Sequence, residues 1–139
     1  MTDAAPRPSP SSGPRPGPRP GQAPRPLEIR LIQAEKALEI AFDDGRVFRY
    51  PAELLRVESP SAEVQGHNPD EKKLIPGRAQ VGILGVEAVG HYAIVIRFDD
   101  LHDTGIYPWS YLYHLGENQA LVWQGYLDRL AAAGLSRQP

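Results

Sequence analysis

The chain has 139 residues, no cysteine and a formal net charge of −2, and nine of its 15 prolines fall within the first 26 positions. The missing cysteines exclude disulfides, thiolate metal sites and cysteine nucleophiles, and no apolar run approaches the ~18 residues that span a bilayer. Residues 1–26 carry Arg7, Arg15, Arg19 and Arg25 against Asp3 alone, a net of +3 that leaves −5 for residues 27–139, a division that argues against nucleic acid as the body's partner.

The arm repeats Pro-x-Pro, at Pro6-Arg7-Pro8, Pro14-Arg15-Pro16, Pro18-Arg19-Pro20 and Pro24-Arg25-Pro26. Proline fixes its own φ and extends the residue before it, so polyproline II is expected, hinged at glycines. With no aromatic or branched aliphatic side chain, residues 1–26 cannot bury enough surface to offset chain entropy. They are expected to be a disordered tail, with an aromatic-lined groove as their alternative destination. The start also lacks the apolar stretch of a secretory signal, so the expected location is cytoplasmic, with no membrane partner.

Residues 27–139 are the length of one domain. Leu27–Ile32 and Ala37–Phe42 alternate with period two, Asp43-Asp44-Gly45 marks a turn, and Arg46–Tyr50 alternates again, which predicts a three-stranded meander. Pro51 suits the first turn of a short helix through Val57. Glu58–Arg78 reads as a long loop. Two apolar runs, Val81–Val89 and Tyr92–Phe98, flank Gly90-His91 as a hairpin, and Thr104–Tyr107 is a short further strand. A helix is expected over Pro108–Leu115, stopped by Gly116, and a longer one follows Asn118 as its cap. The fold class is α+β: a mostly antiparallel sheet of about five or six strands, with a short helix and one long C-terminal helix packed on it.

Four separated phrases carry a resemblance: Asp43-Asp44-Gly45, Leu54-Leu55-Arg56, Ser59–His67, and Phe98-Asp99-Asp100-Leu101-His102-Asp103-Thr104-Gly105-Ile106-Tyr107-Pro108-Trp109-Ser110-Tyr111-Leu112. Together they resemble the gamma-butyrobetaine hydroxylase-like N-terminal domain family, formerly a domain of unknown function (DUF971), over Leu27 to Gly134. The resemblance implies a small module set before a catalytic barrel in the hydroxylases, where three cysteines and a histidine hold zinc. Those cysteine positions are Ser59, Ser61 and Val64 here, and only His102 matches. The residues left are a poor zinc set, because neither a serine hydroxyl at neutral pH nor valine is a suitable ligand. The barrel is missing too, so hydroxylase activity does not transfer. Other relatives stand alone or are fused to Mrp-type P-loop ATPases carrying iron–sulfur clusters, which implies an accessory role in metal or iron–sulfur metabolism through protein contacts.

No arrangement reads as catalytic and none as cofactor-binding: Ser59 and Ser61 lack the elbow of a serine hydrolase, and no glycine-rich phosphate loop is present. The alternative function is a small metal-binding protein or metal-dependent enzyme using His67 and His102, with Glu58, Glu63, Asp99, Asp100 or Asp103 nearby. The metal would be divalent, zinc or iron. His91 and His114 read as structural. Trp109 and Trp123 read as core, while Tyr107, Tyr111 and Tyr113 are candidate interface residues for a protein partner or a second copy.

Overall fold

The computed structural model describes residues 24–66 and 72–139. Among the described residues six strands and four α-helices run in the order β1 (Pro26–Ile32), β2 (Ala37–Phe42), β3 (Val47–Pro51), α1 (Ala52–Val57), α2 (Ala62–Gln65), β4 (Ile83–Val89), β5 (Ala93–Phe98), β6 (Ile106–Pro108), α3 (Trp109–Glu117) and α4 (Gln119–Ala132), with a 3-10 turn, Gln33–Glu35, between β1 and β2. The α+β class and the antiparallel pairing are as expected. The single sheet is not: the strands form two three-stranded sheets, β1-β2-β3 and β4-β5-β6. Alternation tells which face of a strand is buried but not which strand lies beside it. Between β1 and β4 the link is a side chain, Gln33 Nε2 donating to the carbonyls of Ile83 (3.2 Å) and Leu84 (3.3 Å).

The two sheets share one core. Leu38, Ile40 and Phe42 of β2 and Ile94, Ile96 and Phe98 of β5 meet Tyr50, Leu54, Leu55, Leu112 and Leu115. A second cluster, Val57, Tyr126 and Leu130, lies under α4, with Leu74, Ile75 and Trp123 against it. Both expected C-terminal helices form, but the long one does not pack on a single sheet: α3 lies against β3 and β6, and the longer α4 rests on Val57 of α1 with Leu74 and Ile75 of the loop. Trp109 and Trp123 pack at the margins of these clusters, half-buried.

Two helix boundaries differ from expectation. Gly116 lies inside α3, where a Cβ would overlap the ring of Phe48, so this glycine serves close packing and not termination. Asn118 closes α3 by donating from both its backbone (3.1 Å) and its Nδ2 (2.8 Å) to the carbonyl of His114, and its side chain does not cap α4. The loop after α1 holds the unforeseen α2, capped by Ser61, whose Oγ accepts from Glu63 N (3.2 Å). Serine is a favoured N-cap residue, but one short turn leaves no apolar periodicity to mark the helix it would start.

Candidate functional site

The phrases on either side of that loop meet in space. Ser59 and Ser61 follow α1, Glu63 lies in α2, and His102 and Thr104 lie in the turn between β5 and β6. Ser59 Oγ stands 2.9 Å from His102 Nε2, and His102 Nδ1 stands 3.2 Å from Glu63 Oε1. Thr104 Oγ1 donates to the same Glu63 oxygen (3.0 Å) and lies 2.8 Å from Ser61 Oγ.

Proton accounting fixes the directions. Thr104 has one proton and gives it to Glu63, so Ser61 donates to Thr104 while accepting from Glu63 N. The carboxylate opposite Nδ1 takes the imidazole proton, which leaves Nε2 to accept from Ser59, whose oxygen in turn accepts from Ser61 N (3.2 Å). The network closes around a neutral imidazole. Burial, followed by the positive charge of Arg56, lowers the pKa of His102 below its ordinary 6.5, with Glu63, Asp100 and Asp103 pulling the other way. The shift favours the neutral imidazole that the hydrogen bonds require.

Serine, imidazole and carboxylate in that order have the layout of a hydrolytic triad. The serine is sealed, however: Ser59 is 0 % exposed, and Gly105 approaches so closely that a Cβ there would overlap Ser59 Oγ. No carbonyl carbon can come within bonding distance without opening the turn. The arrangement is a clasp that fastens the α1–α2 loop to the β5–β6 turn.

The residues at the zinc-ligand positions do not fit zinc. Ser59 and Ser61 present protonated hydroxyls, Val64 is buried and apolar, and both ring nitrogens of His102 are engaged. Among the described residues no three metal-ligating side chains converge; His67 lies outside the described residues. Of the five carboxylates named with it, only Glu63 meets the His102 ring, and Asp100 meets only its backbone N–H. Asp99 and Asp103 are exposed. Asp100 Oδ2 accepts from Arg56 Nε and Arg78 Nε, both at 2.7 Å, and its Oδ1 accepts from His102 N (3.1 Å). Burial alone would raise Asp100, but these bonds outweigh it and hold the carboxyl below its usual range. Glu58 is buried and turns instead to Lys72 Nζ (2.6 Å).

The three tyrosines serve the interior to different degrees. Tyr107 is fully buried and donates to Leu55 O (2.6 Å), so it presents nothing to a partner, contrary to expectation. Packing on the core occupies it because β6 turns position 107 inward. Tyr111 donates to Glu58 O and is half-buried. Tyr113 donates to Asp44, which pushes its pKa up to about 12, and its ring stands edge-on to Phe42 and Phe48 at 5.1 and 5.4 Å. Sequence reasoning named Glu63 only as one of five possible metal-ligating carboxylates and missed Thr104, and no spacing rule joins these two residues 41 positions apart.

The chain matches the family described as gamma-butyrobetaine hydroxylase-like, N-terminal, over residues 29–113. It is similar to two proteins known from NMR solution structures. One is 46 % identical, with 84 % of this chain and 91 % of that one covered and a TM-score of 0.73. For the other the values are 43 %, 88 %, 91 % and 0.75. A crystal structure of a protein of unknown function from Acidithiobacillus ferrooxidans ATCC 23270, of the DUF971 family, is 37 % identical over 66 % of this chain and 92 % of that one, with a TM-score of 0.57. No curated protein matches the chain. All the clasp residues lie within the matched span, and the chain belongs to the gamma-butyrobetaine hydroxylase-like N-terminal family.

Proposed function

We propose that the chain is a non-catalytic accessory module of the cytoplasm that works through protein contacts, in the service of metal or iron–sulfur metabolism. The observation that carries the reading is the closed clasp. The hydroxyls, ring nitrogens and carboxylate that could do chemistry are engaged with one another, and the serine has no solvent face. A site so arranged positions loops. Among the described residues no helix is long and apolar enough to cross a membrane.

The test is tagged full-length chain recovered from its own cells, with bound proteins identified by mass spectrometry and its mass measured by light scattering. A metal- or cluster-handling protein recovered in fixed ratio is expected. A monomer with no companion overturns the proposal.

The other reading, a divalent-metal site on His102 and His67, requires His102 to release Ser59 or Glu63. Elemental analysis of untagged protein separates the two. About one equivalent of zinc or iron that disappears in His102→Ala would replace the first reading. Metal far below that is the expected result. By contrast, the triple variant Ser59→Cys, Ser61→Cys, Val64→Cys supplies three thiolates beside His102 and is expected to take up about one zinc.

A further inference from the structure

Away from the clasp, Pro51, Leu54, Gln119, Ala120 and Trp123 line an apolar groove of about 370 Å³, a size that takes the side chains of a short peptide. Pro51 and Leu54 come from the β3–α1 junction and the rest from the start of α4. Arg137 lies over the Trp123 ring at 5.3 Å and walls one side.

We propose that this groove is the docking site of the chain's own N-terminal arm, with Pro18-Arg19-Pro20 as the segment that enters it. The arm's point of departure supports this. Pro24 is buried, and Arg25 is fixed to the β2–β3 turn, its N–H donating to Asp43 Oδ1 (3.2 Å) and its carbonyl accepting from Asp43 N (2.8 Å). That turn is tied to the end of α3 through Tyr113 with Asp44 and through Arg46 with Glu117 (2.9 Å). Gln119 and Ala120 follow Glu117 almost at once. Pro51 lies at the far end of β3 from the same turn, about 13 Å along a strand of this length.

The reach matches. Polyproline II rises about 3.1 Å per residue, so a polyproline II arm of four to six residues before Pro24 would reach roughly 12–19 Å from the root, which is the separation of Pro18–Pro20 from Pro24 along the sequence. Proline rings pack on indole faces in this mode of recognition, and the Gln119 side-chain amide can donate to the carbonyls that polyproline II leaves unpaired. The net +3 of residues 1–26 opposes the −5 of the body. A tether this short gives an effective concentration of order millimolar, so even a weak contact is populated. Docking does not depend on the module having a partner, and it predicts that any proline-rich ligand of the groove must displace the arm first.

The test uses the full chain in solution by NMR, with isotope-labelled and unlabelled chains mixed so that contacts within and between chains are told apart. Nuclear Overhauser effects between the Pro18 and Pro20 rings and the Trp123 indole are expected within one chain. The full-length variant Pro18→Gly, Pro20→Gly is expected to lose them and to shift the Trp123 indole N–H signal. The Trp109 signal, whose N–H donates to His91 O (3.0 Å), is expected to stay in place. Effects seen only between chains would overturn the proposal in favour of a second copy's arm. A Trp123 signal that the variant leaves unmoved would overturn it altogether.

Discussion

Ser59 has one proton to give, and the clasp needs it on Nε2 of His102. Ser59→Ala removes that donor and strands both the imidazole nitrogen and Ser61 N in a buried place. The cost expected for orphaned buried groups is about 1–3 kcal/mol, read as a lower urea midpoint with an unchanged slope. Gly105 gives the complementary case: Gly105→Ala pushes a methyl into Ser59 Oγ, and overpacking of this kind costs about 1–3 kcal/mol. The histidine adds a pH dependence whose sign follows from its lowered pKa. As pH falls below 6.5 the unfolded chain takes up the proton first, the folded imidazole resists, and stability drops until the folded pKa is reached. Unfolding midpoints measured from pH 7.5 down to 5 should fall more steeply for the wild type than for His102→Asn. Equal slopes would show that the clasp does not hold its histidine neutral. Of these residues, the sequence displayed His102 and the serines, through the resemblance, and Glu63 only as a possible metal ligand; the role of Glu63 and Thr104 in the clasp stayed hidden, because their contacts span 41 and 43 positions and depend on two loops being packed together.

At the scale of the element, Gly116 shows where local rules fail. A glycine after Leu115 satisfies every helix-stop pattern, and an alanine in a helix interior is ordinarily better than glycine by about 1 kcal/mol. Here α3 continues past it, and its missing side chain is the gap that Phe48 of β3 fills. Gly116→Ala is therefore expected to destabilise, by about 1–3 kcal/mol, and a rise in the urea midpoint would contradict the packing account. Strands were legible because period-two alternation is a local signal: the expected limits of β2 coincide with the observed ones, and those of β1, β3 and β5 differ by one residue. What stayed hidden was their partition into two sheets, which is decided by the shared core of Leu38, Ile40, Ile94 and Ile96 and not by any one strand's pattern. The turn α2 was hidden for the opposite reason, since four residues are too few to show a period.

At the scale of the whole molecule, the C-terminal segment works as a strap. Gly77 N donates to Ser136 O (2.9 Å) and Ala79 N to Arg137 O (3.0 Å), while the Arg137 guanidinium grips both oxygens of Glu53, Nη2 on Oε1 at 2.7 Å and Nε on Oε2 at 2.9 Å. Glu53 belongs to α1, a helix with all six residues buried, so its charge depends on this one cation. The same guanidinium covers Trp123, which joins α1, α4 and the chain end at the wall of the apolar groove. Arg137→Ala is expected to cost about 2 kcal/mol, near the range for a lost charged hydrogen bond, because the buried carboxylate is left alone. Adding Glu53→Gln should return part of that loss, since a neutral amide needs no cation, and the coupling in the double-mutant cycle should exceed about 0.5 kcal/mol. If the two losses simply add, the strap is a surface contact, and α1 must be held by its apolar residues Ala52, Leu54, Leu55 and Val57 alone.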